Sequence, residues 1–156
     1  MTMSQLPEDA ESRAVRLLRR GRPRAALAVT TVGLCRDSEA ADLWLLRASI
    51  HHGQRQWEKA LGDIEQAMTL VPLPVGGQLV LADSYSYTDR GELALLAYEH
   101  LLTAEGEKPE VYAAVYAGLI RCQRRDLALR CCRVAVESNP DDHAAIFAMA
   151  HCMVAL

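Results

Sequence analysis

The sequence predicts an all-helical chain built from antiparallel helix pairs that repeat along its length. Small residues recur every 34 positions on two tracks, which consist of Ala26, Ala60, Ala94 and Ala128, and of Ala14, Ala48, Ala82 and Ala150 with one interruption at Tyr116. A fixed period of this length is typical of stacked repeats, each of which is one supersecondary unit. The two tracks lie twelve residues apart, so we expect two helices that approach each other closely at an alanine on each.

Apolar residues at helical spacing, interrupted by turn signals, predict nine helices. Their expected bounds are about 8–20, 23–36, 41–52, 56–70, 76–88, 91–104, 109–121, 125–138 and 141–155. Pro72 and Pro140 follow two of these helices, because a proline cannot continue a helix. Gly21, Gly53 and Gly91 fall in the turns within pairs, where glycine adopts a positive φ at little cost.

The segment 41–74 shows the repeat most clearly. It carries two large apolar residues, three small residues and a closing proline in the order Trp44, Ala48, Ala60, Ile64, Ala67 and Pro72. This pattern resembles the tetratricopeptide repeat. Two positions depart from the family pattern, since Arg47 stands where leucine is usual and His51 where an aromatic residue is usual.

Two further copies follow. The segment 75–108 keeps five family positions, which are Leu81, Ala82, Tyr85, Ala94 and Tyr98, but Gly106 replaces its closing proline. The segment 109–142 keeps Ala128, Ala135 and Pro140, but Tyr116 occupies a position where the family has a small residue. The resemblance is therefore strongest over 41–142.

Outside these copies we expect a degenerate helix pair at 7–40 and a terminal helix at 143–156. The whole chain, 1–156, is then one domain. The resemblance implies a right-handed superhelix of antiparallel helix pairs, an α-solenoid whose first helices line a concave groove.

The resemblance also implies which side chains line that groove. At the corresponding positions this chain has Leu45, Ser49, His52, Leu79, Asp83, Tyr87, Ala113, Ala117, Ile120, Arg121 and Phe147. Family members that clamp a C-terminal carboxylate use lysine and asparagine, and these positions lack both. We therefore expect the groove to bind an apolar extended or helical segment of a partner protein.

Nothing in the sequence indicates an enzyme. Cys122, Cys131, Cys132, Cys152, His143 and His151 gather in the C-terminal third, but their spacing fits no common zinc motif. No phosphate-binding glycine loop and no nucleophile-and-base pair are recognisable. We expect no catalytic residue, no cofactor and no metal site.

Nucleic-acid binding is also not expected. Arginines are densest in the first predicted helix and the turn after it, at Arg13, Arg16, Arg19, Arg20, Arg22 and Arg24. Such a run is usually a solvated face, and the net charge of the chain is −3. A related helical repeat that reads single-stranded RNA remains a less favoured alternative.

The expected location is the cytoplasm. The first twelve residues carry acidic side chains and no apolar stretch, which argues against an export signal. The longest apolar run, 144–150, is much shorter than the roughly 20 residues of a membrane-spanning helix.

The terminal helix is apolar nearly all round, although terminal repeats usually present a polar outer face. Either a pairing helix follows in a longer natural protein, or this surface docks in a homodimer or on a partner. We favour a homodimer.

Two functional hypotheses follow, and the first has a narrower form. The first is an adaptor or chaperone that captures an apolar segment. A narrower form rests on repeat number and size, which resemble those of small bacterial chaperones of type III secretion subunits. The competing hypothesis is a structural or regulatory module of a larger assembly that captures no segment.

Overall fold

The computed structural model describes residues 9–105 and 108–154, and within these ranges it contains helices and turns but no strand. The helices are α1 (Ala10–Arg19), α2 (Pro23–Arg36), α3 (Ala41–Gly53), α4 (Trp57–Leu70), α5 (Val75–Tyr87), α6 (Gly91–Ala104), α7 (Pro109–Arg121), α8 (Arg125–Ser138) and α9 (His143–Val154). The predicted all-helical class is confirmed for this part of the chain. The predicted helix ends at residues 8 and 155, and Gly106, lie outside the described residues.

The helix starts follow local chemistry. The carboxylate of Asp9 accepts a hydrogen bond from the Ser12 amide at 2.6 Å and so caps α1. Pro23 and Pro109 occupy the first turns of α2 and α7, where a missing amide hydrogen costs nothing. Asp142 accepts hydrogen bonds from the Ala144 and Ala145 amides at the start of α9.

Nearly all residues of the two alanine tracks are buried. Seven of the eight alanines are fully buried, namely Ala14, Ala26, Ala48, Ala60, Ala82, Ala94 and Ala128. Ala150 is exposed, because it lies on α9, which contacts only α7 and α8 among the described helices. The tracks therefore mark buried packing positions in α1–α6 and in α8.

The turns within pairs differ from the prediction. Positive φ occurs at four residues spaced by 34, which are Gly21 (67°), Arg55 (59°), Asp89 (56°) and Gln123 (60°). Each is the second residue after the end of a helix. In these turns a backbone N–H donates to one of the last carbonyls of the helix. The Gln56 amide, for example, donates to the His51 carbonyl at 2.9 Å. The prediction is right for Gly21 and wrong for Gly53 and Gly91, which end α3 and begin α6.

The helices group into two compact units divided between Leu73 and Pro74. This division falls within one residue of the predicted boundary between the repeats 41–74 and 75–108. We call α1–α4 the N-terminal unit and α5–α9 the C-terminal unit. In the N-terminal unit α3 packs against α1, α2 and α4, and in the C-terminal unit α7 packs against all four other helices.

Tyr98 is the largest fully buried side chain. It lies on α6 and packs against Gly118 of α7, where a Cβ atom would overlap the phenol ring. Val115 and Leu119 of α7 belong to the same core. Because Gly118 has no side chain, α7 can accept the aromatic ring from the preceding helix pair.

Candidate functional site

Eight of the predicted groove residues lie on α5, α7 and α9 of the C-terminal unit. Tyr87, Ala113, Ala117 and Phe147 are exposed, whereas Leu79, Asp83, Ile120 and Arg121 are partly buried. Because α7 contacts both α5 and α9, these three helices lie side by side. We call the surface formed by these eight residues the α5–α7–α9 face.

An arginine-centred cluster occupies part of this face. The Arg121 guanidinium donates to Asp83 Oδ1 at 2.7 Å and to Ser86 Oγ at 3.0 Å. Its central carbon lies 4.1 Å from the centre of the Tyr87 ring, within cation–π distance. The cluster joins α5 to α7, so it links two successive repeats.

Tyr98 supplies the buried end of the cluster. Its hydroxyl donates to Asp83 Oδ1 at 2.5 Å, and Arg121 approaches the same hydroxyl at 3.4 Å. Burial raises the pKa of Tyr98 far above its ordinary value, and the negative charge of Asp83 raises it further. The phenol therefore stays protonated and remains a hydrogen-bond donor.

The repeat pattern did not predict this cluster. It indicated Tyr98 only as a retained family position and predicted a groove that binds an apolar segment. The spacing between Asp83 and Arg121 is 38 residues, which equals one repeat of 34 plus about one helical turn. That spacing was the available signal, since it places opposite charges on the same face of successive first helices.

The rest of the face is apolar and open. Ala113 and Ala117 are exposed and lie one turn apart on α7. Phe147 on the adjoining α9 is 77% exposed. Leu79 and Ile120 contribute less, because both pack partly against the buried core.

The other three predicted residues lie on α3 of the N-terminal unit. Leu45 and His52 are partly buried, and Ser49 is exposed. The Ser49 hydroxyl donates to the Leu45 carbonyl at 3.0 Å. The His52 ring stands edge-on to Trp57, with ring centres 5.1 Å apart. Ser49 and His52 thus make contacts within their own helix pair.

The two departures from the family pattern share one partner in the N-terminal unit. Asp63 on α4 accepts two hydrogen bonds from Arg47, at 2.9 and 2.6 Å. The His51 Nε2 atom lies 3.8 Å from the same carboxylate, and its Nδ1 atom lies 2.7 Å from Gln56 Oε1. Arg47 and His51 therefore form a polar contact between α3 and α4 where the family has apolar packing.

Two of the cysteines in the C-terminal third, Cys131 and Cys132, are buried on α8. Burial raises the pKa of Cys131 to about 11 and that of Cys132 to about 12. A thiol that stays protonated at neutral pH is a poor nucleophile and a poor metal ligand. Across residues 9–105 and 108–154, no three His, Cys, Asp or Glu side chains are grouped to hold a metal ion.

No helix in the described part of the chain has the length and apolar character needed to cross a membrane.

No protein-family model matches the sequence, and no curated protein matches it significantly. Solved structures do share its fold. YrrB, described as a tetratricopeptide repeat protein with an unusual peptide-binding site, is 17% identical with a TM-score of 0.75 over 93% of this chain and 75% of its own. MamA from Desulfovibrio magneticus RS-1 is 14% identical with a TM-score of 0.79 over 93% and 82%.

TTC0263, a tetratricopeptide repeat protein from Thermus thermophilus, is 20% identical with a TM-score of 0.71 over 97% of this chain and 84% of its own. At these identities the similarity establishes architecture and leaves partners open. The resemblance predicted from the alanine tracks is confirmed at the level of the fold. This chain has the fold of the tetratricopeptide repeat proteins.

Proposed function

We propose that the protein is a non-catalytic interaction module that binds an apolar segment of a partner protein on the α5–α7–α9 face. The observation that carries the proposal is Phe147, a large apolar side chain that is 77% exposed beside a helix bearing the exposed Ala113 and Ala117. Burying a phenylalanine side chain contributes about 1.5–3 kcal/mol. An extended or helical segment that covered Phe147 would gain that free energy on binding.

The arginine-centred cluster complements this apolar surface. The Arg121 guanidinium lies over the Tyr87 ring, and this contact would restrict the motion of the ring before a partner binds. An ordered aromatic side chain loses less conformational entropy on binding than a mobile one. Tyr87 and Arg121 would fix the register of the segment, and Phe147 would supply most of its affinity.

The same cluster argues against a clamp for a C-terminal carboxylate. Arg121 already donates to Asp83, whose negative charge would repel a second carboxylate. The predicted groove positions also lack the lysine and asparagine of such clamps. A neutral, apolar internal segment therefore fits this face better than an acidic tail.

The narrower role we propose is that of a bacterial cytoplasmic adaptor or chaperone, with type III secretion subunits as candidate partners. YrrB is described as having a peptide-binding site, which supports peptide capture by this fold. The exposed Met153 and Val154 of α9 also support the proposed homodimer. Light scattering should report twice the chain mass if α9 dimerises, and a strict monomer at all concentrations would contradict it.

Affinity capture from the source cells, followed by mass spectrometry, tests the proposed function. The variant Phe147→Glu with Ala117→Glu should lose the captured protein by about tenfold or more, since it places charge on the apolar surface. Leu93 and Leu96 of α6 are 47% and 62% exposed and provide the matched control. Leu93→Glu with Leu96→Glu should leave capture unchanged, whereas equal capture by both double variants would refute the proposed face.

A further inference from the structure

A cavity lies within the N-terminal unit, between α1, α2 and α3. Its volume is about 460 Å³, within the usual range for small-molecule sites. Its apolar lining includes Val29, Val32, Gly33 and Leu43, together with three alanines. Val32 is 51% exposed, so an apolar group entering the cavity would cover surface that now faces water.

Gly33 of α2 lines this cavity close to α1 and α3. A Cβ atom at this position would lie 2.7 Å from Leu43 Cδ1 and 3.0 Å from the Ala10 Cβ. The missing side chain therefore lets α1, α2 and α3 meet beneath the cavity.

Charged groups border the cavity. Arg13 of α1 and Arg36 of α2 both line it, and both residues are exposed. Asp37 also lines the cavity, but its Oδ1 atom accepts a hydrogen bond from the Glu39 amide at 3.0 Å. Two guanidinium groups against one carboxylate leave a single excess positive charge.

We propose that this cavity binds a small amphipathic monocarboxylate, with its apolar body on Val32 and Leu43 and its carboxylate between Arg13 and Arg36. Guanidinium groups recognise carboxylates through paired, charge-assisted hydrogen bonds. At about 30 Å³ for each water-sized group, the cavity holds about fifteen such groups, enough for a medium-length aliphatic acid. This site lies outside the α5–α7–α9 face and does not depend on the proposed function.

Titration of the full chain with octanoate, followed by NMR of backbone amides, tests the proposal. We expect saturable shifts in α1, α2 and α3. Octanol has the same apolar body without the charge. Its affinity should be lower than that of octanoate by about tenfold or more. Equal affinity for octanol and octanoate, or shifts confined to other helices, would overturn the proposal.

Charge-matched variants separate the cavity from general basicity. Arg13→Gln with Arg36→Gln should weaken octanoate binding by about tenfold. Arg20→Gln with Arg24→Gln removes the same charge from two exposed residues, one directly after α1 and one in α2, that do not line the cavity. This variant should bind octanoate with the affinity of the unaltered protein. Circular dichroism checks that both variants fold, and equal weakening in the two would refute the site.

Discussion

The N-terminal unit pairs Arg47 with Asp63, whereas the C-terminal unit pairs Arg121 with Asp83. The first pair joins the two helices of one repeat, and its side chains are 17% and 8% exposed. The second pair joins the first helices of successive repeats, and its side chains are 28% and 22% exposed. An arginine–aspartate pair thus replaces apolar packing inside one repeat, and a second such pair lies on an accessible face that joins two repeats.

The difference in exposure indicates different roles for the two arginine–aspartate pairs. Asp63 lies among buried groups, so its charge must be neutralised for the helix pair to form. Asp83 keeps some contact with water and belongs to a surface that also carries exposed aromatic rings. We infer that the N-terminal pair acts on stability and that the C-terminal pair acts mainly on partner binding.

Matched substitutions of the two aspartates should give the largest effect. Asp63→Asn leaves the Arg47 charge without its counter-ion in a mostly buried site and should lower the free energy of unfolding by about 3 kcal/mol. Asp83→Asn should lower the free energy of unfolding by only about 1 kcal/mol, since water screens the charge of its partner Arg121. Urea denaturation measures both, and a larger loss for Asp83→Asn would reverse the comparison.

Alkaline pH should weaken the two units unequally. Burial holds the pKa of Cys131 at about 11, above the ordinary thiol value of 9.0, and it raises the pKa of Tyr98 as well. A raised pKa in the folded state means that stability is full below the unfolded pKa and falls as pH rises above it. The C-terminal unit should therefore lose stability above about pH 9.

Hydrogen exchange at rising pH, corrected for the intrinsic rate, measures this difference by helix. We expect α6, α7 and α8 to lose protection before α3 and α4. The variant Tyr98→Phe should flatten the decline above about pH 10, because it removes one ionisable group. A decline that is equal in both units and unaffected by this variant would contradict the assignment.

The smallest effect concerns the left-handed turn residues. Arg55 of the N-terminal unit and Asp89 of the C-terminal unit have φ values of 59° and 56°, which glycine tolerates better than other residues. Arg55→Gly and Asp89→Gly should each raise the melting temperature slightly, by a stabilisation of about 0.5–1 kcal/mol. Equal gains would show that the turns are equivalent although the polar clusters differ.

Local chemistry made most of the fold predictable. The prolines and the alanine tracks reported helix ends and helix contacts, because both act through short-range sterics. The turn glycines were mispredicted at Gly53 and Gly91, since the backbone of the turn imposes a positive φ on whichever residue stands two places after the helix. That position holds arginine, aspartate or glutamine in three of the four turns.

The polar clusters were less predictable. Arg47 and His51 were recognised as departures from the pattern, but their shared partner Asp63 becomes evident only when α4 folds back on α3. The exposed positions of Tyr87 and Phe147 followed from the family resemblance. Their contribution to binding depends on a partner that the sequence does not contain, so it stays a prediction.

Hydrogen exchange on the chain alone and in complex with a partner purified from its own cells tests the proposed binding face most directly. We predict slower exchange in α5, α7 and α9 of the complex. The exchange rates of α6 and α8, the second helices of their pairs, should be unchanged. Protection confined to α6 and α8, or to the N-terminal unit, would contradict binding on the α5–α7–α9 face.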